Sequence, residues 1–267
     1  MCLVLIAWRA DTDHPCVVAA NRDEFHARPA LAAGWWPDRP HILAGRDLLA
    51  GGTWLGMTRA GRFAALTNYR DPARRVREPD AAPSRGALVT SLLESNASVA
   101  DGLTHLHEVG ANYNAFNLIF SDGERLGIYE SASGTGRELP PGIYGLSNHL
   151  LDTPWPKVRH AKSRMEQALL GNAGTDPLLA LLRDDRPAPD EQLPRTGVSL
   201  EWERLLSSAF VRSSDYGTRC STIIRIDVRG RAYFDEWSWN SAGEDIGRVG
   251  LQFELERRYV QARAALL

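Results

Sequence analysis

A chain of 267 residues with 43% hydrophobic and 24% charged residues has the make-up of a folded globule, not of a disordered tail or a disulfide-stapled miniprotein. Arg and Lys (31) nearly balance Asp and Glu (33), so the net charge of −2 gives no general attraction to nucleic acid or to an anionic membrane surface. Three cysteines (Cys2, Cys16 and Cys220) without a CxxC pair argue against a disulfide framework and a thiolate zinc site, and fit a reducing, cytoplasmic setting.

Residues 3–8 are apolar throughout and predict a buried strand. The run has no basic n-region and is too short for a signal peptide or a membrane span, and no other stretch is long enough to span. Residues 16–20 predict a second strand after the turn-forming segment 11–15. Residues 54–58 and 62–67 flank Arg59-Ala60-Gly61 as a hairpin. Segment 69–83, rich in Pro, Arg and Asp, reads as an exposed loop. Ser84 reads as the N-cap of a helix with Leu88, Leu92 and Leu93 on one face, and a second helix covers 99–109. Strands return at 116–120 and 126–130 across a turn at 121–124, and again at 143–147. Thr153-Pro154-Trp155-Pro156 opens a helix to about residue 170, and 176–182 continues helical. Residues 184–196, with Pro187, Pro189 and Pro194, read as a surface loop. Residues 218–228 and 232–237 form a hairpin across Arg229-Gly230-Arg231, and the end of the chain from 249 turns from strand to helix.

Some eight to ten strands with two helical groups do not alternate one for one, which disfavours a doubly wound parallel fold. Hairpins imply antiparallel pairing, and apolar strands need helices over their outer faces. The expected class is α+β: a sandwich of two mainly antiparallel sheets between helical layers, formed as a single domain over residues 1–267. No repeat of 20–50 residues points to a solenoid or propeller.

Cys2 is the sharpest chemical feature. Trimming of Met1 would leave a thiol and a free α-amine on one residue, with ordinary pKa values of about 8.5 and ~7.7–8.0. The amine could then take the thiol proton and return it to a leaving group. The plainer alternative is a small apolar residue opening a buried strand. Asn21-Arg22-Asp23-Glu24 stands at the end of the second predicted strand. Arg22 would favour the thiolate and Asp23 would orient the amine, or the four residues form a solvated turn. Asn68 and Asn148 also stand at strand ends, where an amide can donate to an oxyanion or simply shape a turn. Arg219 could grip a substrate carboxylate or serve as a surface charge. Trp237 and Trp239 share one strand face and read as core or pocket wall. His105 and His107, two apart on a helix, make a poor metal pair. No HExxH, Walker A or GxGxxG sequence occurs.

Taken together, the Met1-Cys2 start, Asn21-Arg22-Asp23-Glu24, Gly51-Gly52-Thr53-Trp54-Leu55-Gly56, Leu66-Thr67-Asn68-Tyr69-Arg70, Tyr113-Asn114-Ala115-Phe116-Asn117-Leu118, Gly145-Leu146-Ser147-Asn148 running into Leu151-Asp152-Thr153-Pro154-Trp155-Pro156-Lys157, and Tyr216-Gly217-Thr218-Arg219 resemble the NRDE family, also called the transport and Golgi organization protein 2 family. The resemblance runs in order from residue 1 to about residue 240. That family is similar to N-terminal nucleophile hydrolases of the choloylglycine hydrolase and penicillin V acylase type. The resemblance implies a four-layer αββα fold, Cys2 as nucleophile, Asp23 as the carboxylate near its amine, and Asn148 as an oxyanion-hole or substrate-orienting residue. Asn68 is a looser match for a second such Asn. Those hydrolases usually place an Arg just before the Asn-x-Asp triplet. Here Ala20 stands there, Arg22 lies inside the triplet, and Arg212 or Arg219 would have to stand in for another arginine of the site.

The implied activity is hydrolysis of a non-peptide carbon–nitrogen bond through a Cys2 thioester. It requires no cofactor and would act on a small-molecule amide or hydrophobic ligand. The family also implies an alternative, a non-enzymatic haem-binding or haem-trafficking protein with Cys2 or a His as ligand. The Cys-Pro haem-regulatory order is reversed here, in Pro15-Cys16. A third reading, an adaptor using the loop 69–83, rests on composition alone.

Overall fold

The first strand, β1 (Cys2–Trp8), is buried along its whole length, as a strand covered on both faces must be. The computed structural model describes residues 2–71, 82–171 and 174–256. In chain order there follow β2 (Cys16–Phe25), β3 (Ala30–Trp36), β4 (Arg39–Asp47), β5 (Leu55–Thr58), β6 (Phe63–Asn68), α1 (Gly86–Glu94), α2 (Val99–Val109), β7 (Phe116–Ser121), β8 (Leu126–Glu130), β9 (Thr135–Leu139) and β10 (Gly142–Leu146). The rest comprises α3 (Pro156–Leu170), α4 (Thr175–Leu182), α5 (Leu200–Leu205), β11 (Tyr216–Ile226), β12 (Arg231–Trp239) and β13 (Asp245–Glu254). Among the described residues the strands form two antiparallel sheets, ordered β10-β1-β2-β11-β12-β13 and β3-β4-β5-β6-β7-β8-β9.

Strand alternation sorts the apolar residues into three layers of core. Val4, Ile6 and Trp8 face inward and meet Leu43, Met57, Ile119 and Ile128 of the second sheet. Leu3, Leu5, Val17 and Ala19 face outward beneath Val158, Met165, Leu178 and Leu181 of α3 and α4. On the far side, Ile42, Ala64, Leu118 and Phe120 lie beneath Leu88, Leu92 and Leu106 of α1 and α2. This is the expected αββα sandwich, and each fully buried Leu, Ile or Phe contributes roughly 1.5–3 kcal/mol. Trp237 and Trp239 share the outer core, as their spacing predicts.

Local chemistry explains most helix starts. Pro156 occupies the first turn of α3, where its missing N–H costs nothing. Ser98 and Asp101 form a reciprocal cap on α2. For α1 the cap position is Arg85 rather than Ser84, and no side chain caps it. Its entry is set by contact instead: a Cβ on Gly52 would lie 2.6 Å from the backbone carbon of Gly86, so only glycine lets the helix seat on that turn.

Four expectations change. Strand β2 does not end before Asn21 but runs on to Phe25, because β1 and β11 pair with it on both sides. Strands β3, β4 and β9 were not foreseen. Much of β3 and all but the last residue of β9 are exposed and lack a clean alternation. The short helix α5 was also missed. At the C-terminal end, β13 begins at Asp245, before the expected 249, and runs to Glu254; the helix expected in the C-terminal part of 254–266 falls largely outside the described residues. The loop expected at 69–83 falls largely on 72–81, also outside them. Among the described residues, no helix is long and apolar enough to cross a membrane.

Candidate active site

One row of directly opposed residues crosses the first sheet: Cys2 on β1, Arg22 on β2, Cys220 on β11 and Ser238 on β12. Opposed residues share a face, and this row continues the inward face of Val4 and Ile6. Here the two sheets part around a cavity of about 1030 Å³, lined by Cys2, Arg22, Asp23, Asn68 and Arg219 among others. Cys2 is 9% exposed and lines this space.

The neighbours of Arg22 face the other way. Asn21 is fully buried on the helix side. Its amide donates to the carbonyls of Leu182 (2.8 Å) and Ala209 (2.7 Å), and its own carbonyl accepts from the Ser221 hydroxyl (2.6 Å). The indole of Trp239 donates in turn to Ser221 (2.9 Å). The stretch is thus a rivet between sheet and helical layer, not a solvated turn. Asn21→Ala is expected to destabilise the fold by about 3 kcal/mol, since it leaves buried carbonyls without donors. The urea midpoint measures this, and an unchanged midpoint would refute the assignment.

Asp23 follows the same alternation. Its Oδ1 accepts from the Thr218 hydroxyl (2.7 Å), its carbonyl accepts from the Tyr216 hydroxyl (3.0 Å), and its backbone N–H donates to the Cys2 sulfur. Between Thr218 and Cys220 the register of β11 slips, leaving Arg219 as the extra residue of a bulge. Such bulges re-aim a side chain. The Arg219 guanidinium lines the cavity and donates to the carbonyls of Phe25 (2.9 Å) and Arg28 (3.1 Å).

Charge in the cavity is set by burial against local partners. Burial pushes the Cys2 thiol up, and Arg22 and the Asp23 N–H act against that rise. Burial also raises Asp23, with Lys157 and the Thr218 hydroxyl opposing. Arg22 stands 3.5 Å from Asp47 and 3.9 Å from Glu24. Burial, reinforced by Glu236, raises the Cys220 thiol well above the ordinary range, so it stays protonated. Glu236 is itself raised by burial, and it accepts from the Ala33 N–H (2.7 Å) and the Thr222 hydroxyl (3.0 Å).

Of the residues singled out from sequence, Cys2, Arg22, Asp23, Asn68 and Arg219 converge on this one cavity. Asn148 stands behind it. Its amide donates to the Asn68 carbonyl (2.8 Å), and the adjacent Ser147 hydroxyl donates to the Cys2 carbonyl (3.0 Å). Arg212 pairs instead with Asp185 (3.0 Å) and does not line the cavity. Three residues of the site escaped sequence reading. Arg85 lines the cavity from a loop with no motif of its own, and Glu236 is hidden in an alternating strand. Lys157 carried a signal, being one of only two lysines against 29 arginines. Among the described residues no histidine lines the cavity, whose sulfur ligands are the thiols of Cys2 and Cys220. Among the described residues no group of three or more His, Cys, Asp or Glu side chains could hold a metal ion.

A model of the family described as Transport and Golgi organisation 2 matches residues 1–241. The chain is 39% identical over 245 residues to the Transport and Golgi organization protein 2 homolog of Bos taurus, covering 83% of this chain and 86% of that protein. It is 37% identical over 243 residues to the Homo sapiens homolog, with the same coverage of each. Among solved structures it is similar to the C2A mutant of conjugated bile acid hydrolase from Clostridium perfringens, with 12% identity, a TM-score of 0.46 and coverage of 95% of this chain and 92% of that one.

Proposed function

Since this chain belongs to the Transport and Golgi organisation 2 family, we propose that it works as a Cys2-dependent hydrolase of a small-molecule amide. The observation that carries this reading is that Cys2 lines the cavity together with Arg22, Asp23 and Asn68, its sulfur hydrogen-bonded by the Asp23 N–H. Once Met1 is removed, the α-amine of Cys2 takes the thiol proton and the sulfur attacks the amide carbon. The Asn68 amide stabilises the oxyanion, while Arg22 favours the thiolate. Collapse of the tetrahedral intermediate breaks the C–N bond, and the ammonium of Cys2 returns its proton to the departing amine. Water then hydrolyses the thioester, releasing the acid and the free thiol. No cofactor enters these steps. Exposed Leu31, Leu49 and Ile246 border the same cavity, which suits an apolar acyl group.

The test is acid quenching during turnover of a panel of acyl amides, followed by mass spectrometry. The expected result is a protein that begins at Cys2 and carries the acyl group on that residue. Turnover by protein that still carries Met1 would overturn the amine-base mechanism.

A further inference from the structure

Lys157 is a buried charge at this site to which the proposed reaction gives no role. It is the second residue of α3, on the buried side of the helix with Val158 and Ala161, and only 4% of its surface reaches solvent. Helix α3 lies over Leu3 and Leu5, on the outer face of the first sheet. The Asp23 side chain projects from that same face, two residues beyond the Asn21 rivet. Ammonium and carboxylate therefore belong to one sheet–helix interface and act on each other through charge, without a close ion pair.

The charges acting on Lys157 are Asp23, Cys2 and Glu203, which favour its cation, and Arg70, which opposes it. On its other side it borders a second cavity of about 480 Å³ together with His160, Arg164, Asp184 and Arg186. Among the described residues its ammonium makes no hydrogen bond or close ion pair. A bare ammonium in the first turn of a helix is disfavoured by burial and by the positive end of the helix dipole. Burial accordingly weakens its hold on the proton, to a pKa of about 8. Methionine or leucine would fill this place at less cost, so the charge calls for a reason beyond packing.

We propose that Lys157 is a positioning residue of the Cys2 site, a cation that faces Asp23 from the helical layer, holds that carboxylate ionised and supplies positive charge behind the Cys2 sulfur. The inference rests on Cys2 being the reactive thiol and specifies how its ionisation is controlled. Asp23 alone would oppose a thiolate on Cys2, and Lys157 offsets that repulsion without entering the cavity.

The readout is alkylation of Cys2 by iodoacetamide, followed residue by residue by peptide mass spectrometry across roughly pH 5–10. In Lys157→Met the alkylation midpoint is expected about one pH unit higher, with Cys2 about tenfold slower at neutral pH. Cys220, whose thiol burial keeps protonated, is expected to remain unmodified in every variant. Lys157→Arg retains the charge and is expected to keep the wild-type midpoint. Melting temperature separates this role from a structural one. Lys157→Met should melt no lower than wild type at neutral pH, whereas a structural ion pair would make it melt lower with an unmoved midpoint. If Lys157→Met does not fold, Lys157→Gln gives the same reading. An unshifted midpoint in a folded, uncharged variant overturns the proposal, and so does an equal shift in Lys157→Arg. Alkylation needs no amide substrate, so loss of the hydrolase reading and loss of this one register separately.

Discussion

Cys2→Ala is expected to remove amide turnover by about 10⁴-fold or more, because without the sulfur no thioester forms and only the binding groups remain. The substitution takes one atom from the wall of a cavity rather than from a closed core, so it should cost no more than about 1 kcal/mol of stability. A variant that melts like wild type and releases no amine is the expected outcome, with Cys16→Ala as control. Cys16 is fully buried at the far end of β2 and can lose its thiol without touching the chemistry. Undiminished amine release from Cys2→Ala would end the assignment of Cys2 as nucleophile, whatever the state of the fold.

A second large effect lies in the response of stability to alkali. The folded chain gives up the Lys157 proton at about 8, against an ordinary lysine value of 10.5. Between those values the unfolded chain binds a proton that the folded chain does not, so stability rises with pH across this window. The gain is lost again as pH falls through about 8. Some 2.5 pH units correspond to about 3 kcal/mol. Burial raises Tyr129 and Tyr144, which act in the opposite sense near the top of the same window. The informative quantity is therefore the difference between wild type and Lys157→Met, measured by urea unfolding at several pH values. Wild type should gain on the variant by about 3 kcal/mol from neutral pH to pH ~10.5. Parallel curves would show that the ammonium is not desolvated.

How much of this was legible beforehand follows from where each residue finds its partners. Strand β1 was legible because seven consecutive buried residues leave an apolar run in the sequence. Strand β3 was not, because its exposed and buried residues do not alternate and its register with β4 is broken twice. Asn21 through Glu24 looked like a turn because polarity is local, while the groups that satisfy Asn21 lie more than 160 residues away in the chain. Cys2, Arg22, Asp23, Asn68 and Arg219 could be proposed from strand-end position and resemblance, and they do share a cavity. Asn148 does not line that cavity, and its amide reaches the Asn68 carbonyl instead. Glu236 could not be found this way, and Lys157 stood in a resembling stretch with no role attached, since the chemical character of both comes from burial by elements remote in sequence.

The alternation of Asn21, Arg22 and Asp23 bears on how sequence variants in this stretch should be interpreted. Position 21 bolts one layer to the next, and position 22 looks into the chamber. Adjacent missense changes should therefore produce unlike defects, scarce protein in the first case and abundant but inert protein in the second. A screen that scores only cellular abundance would register the former and pass over the latter.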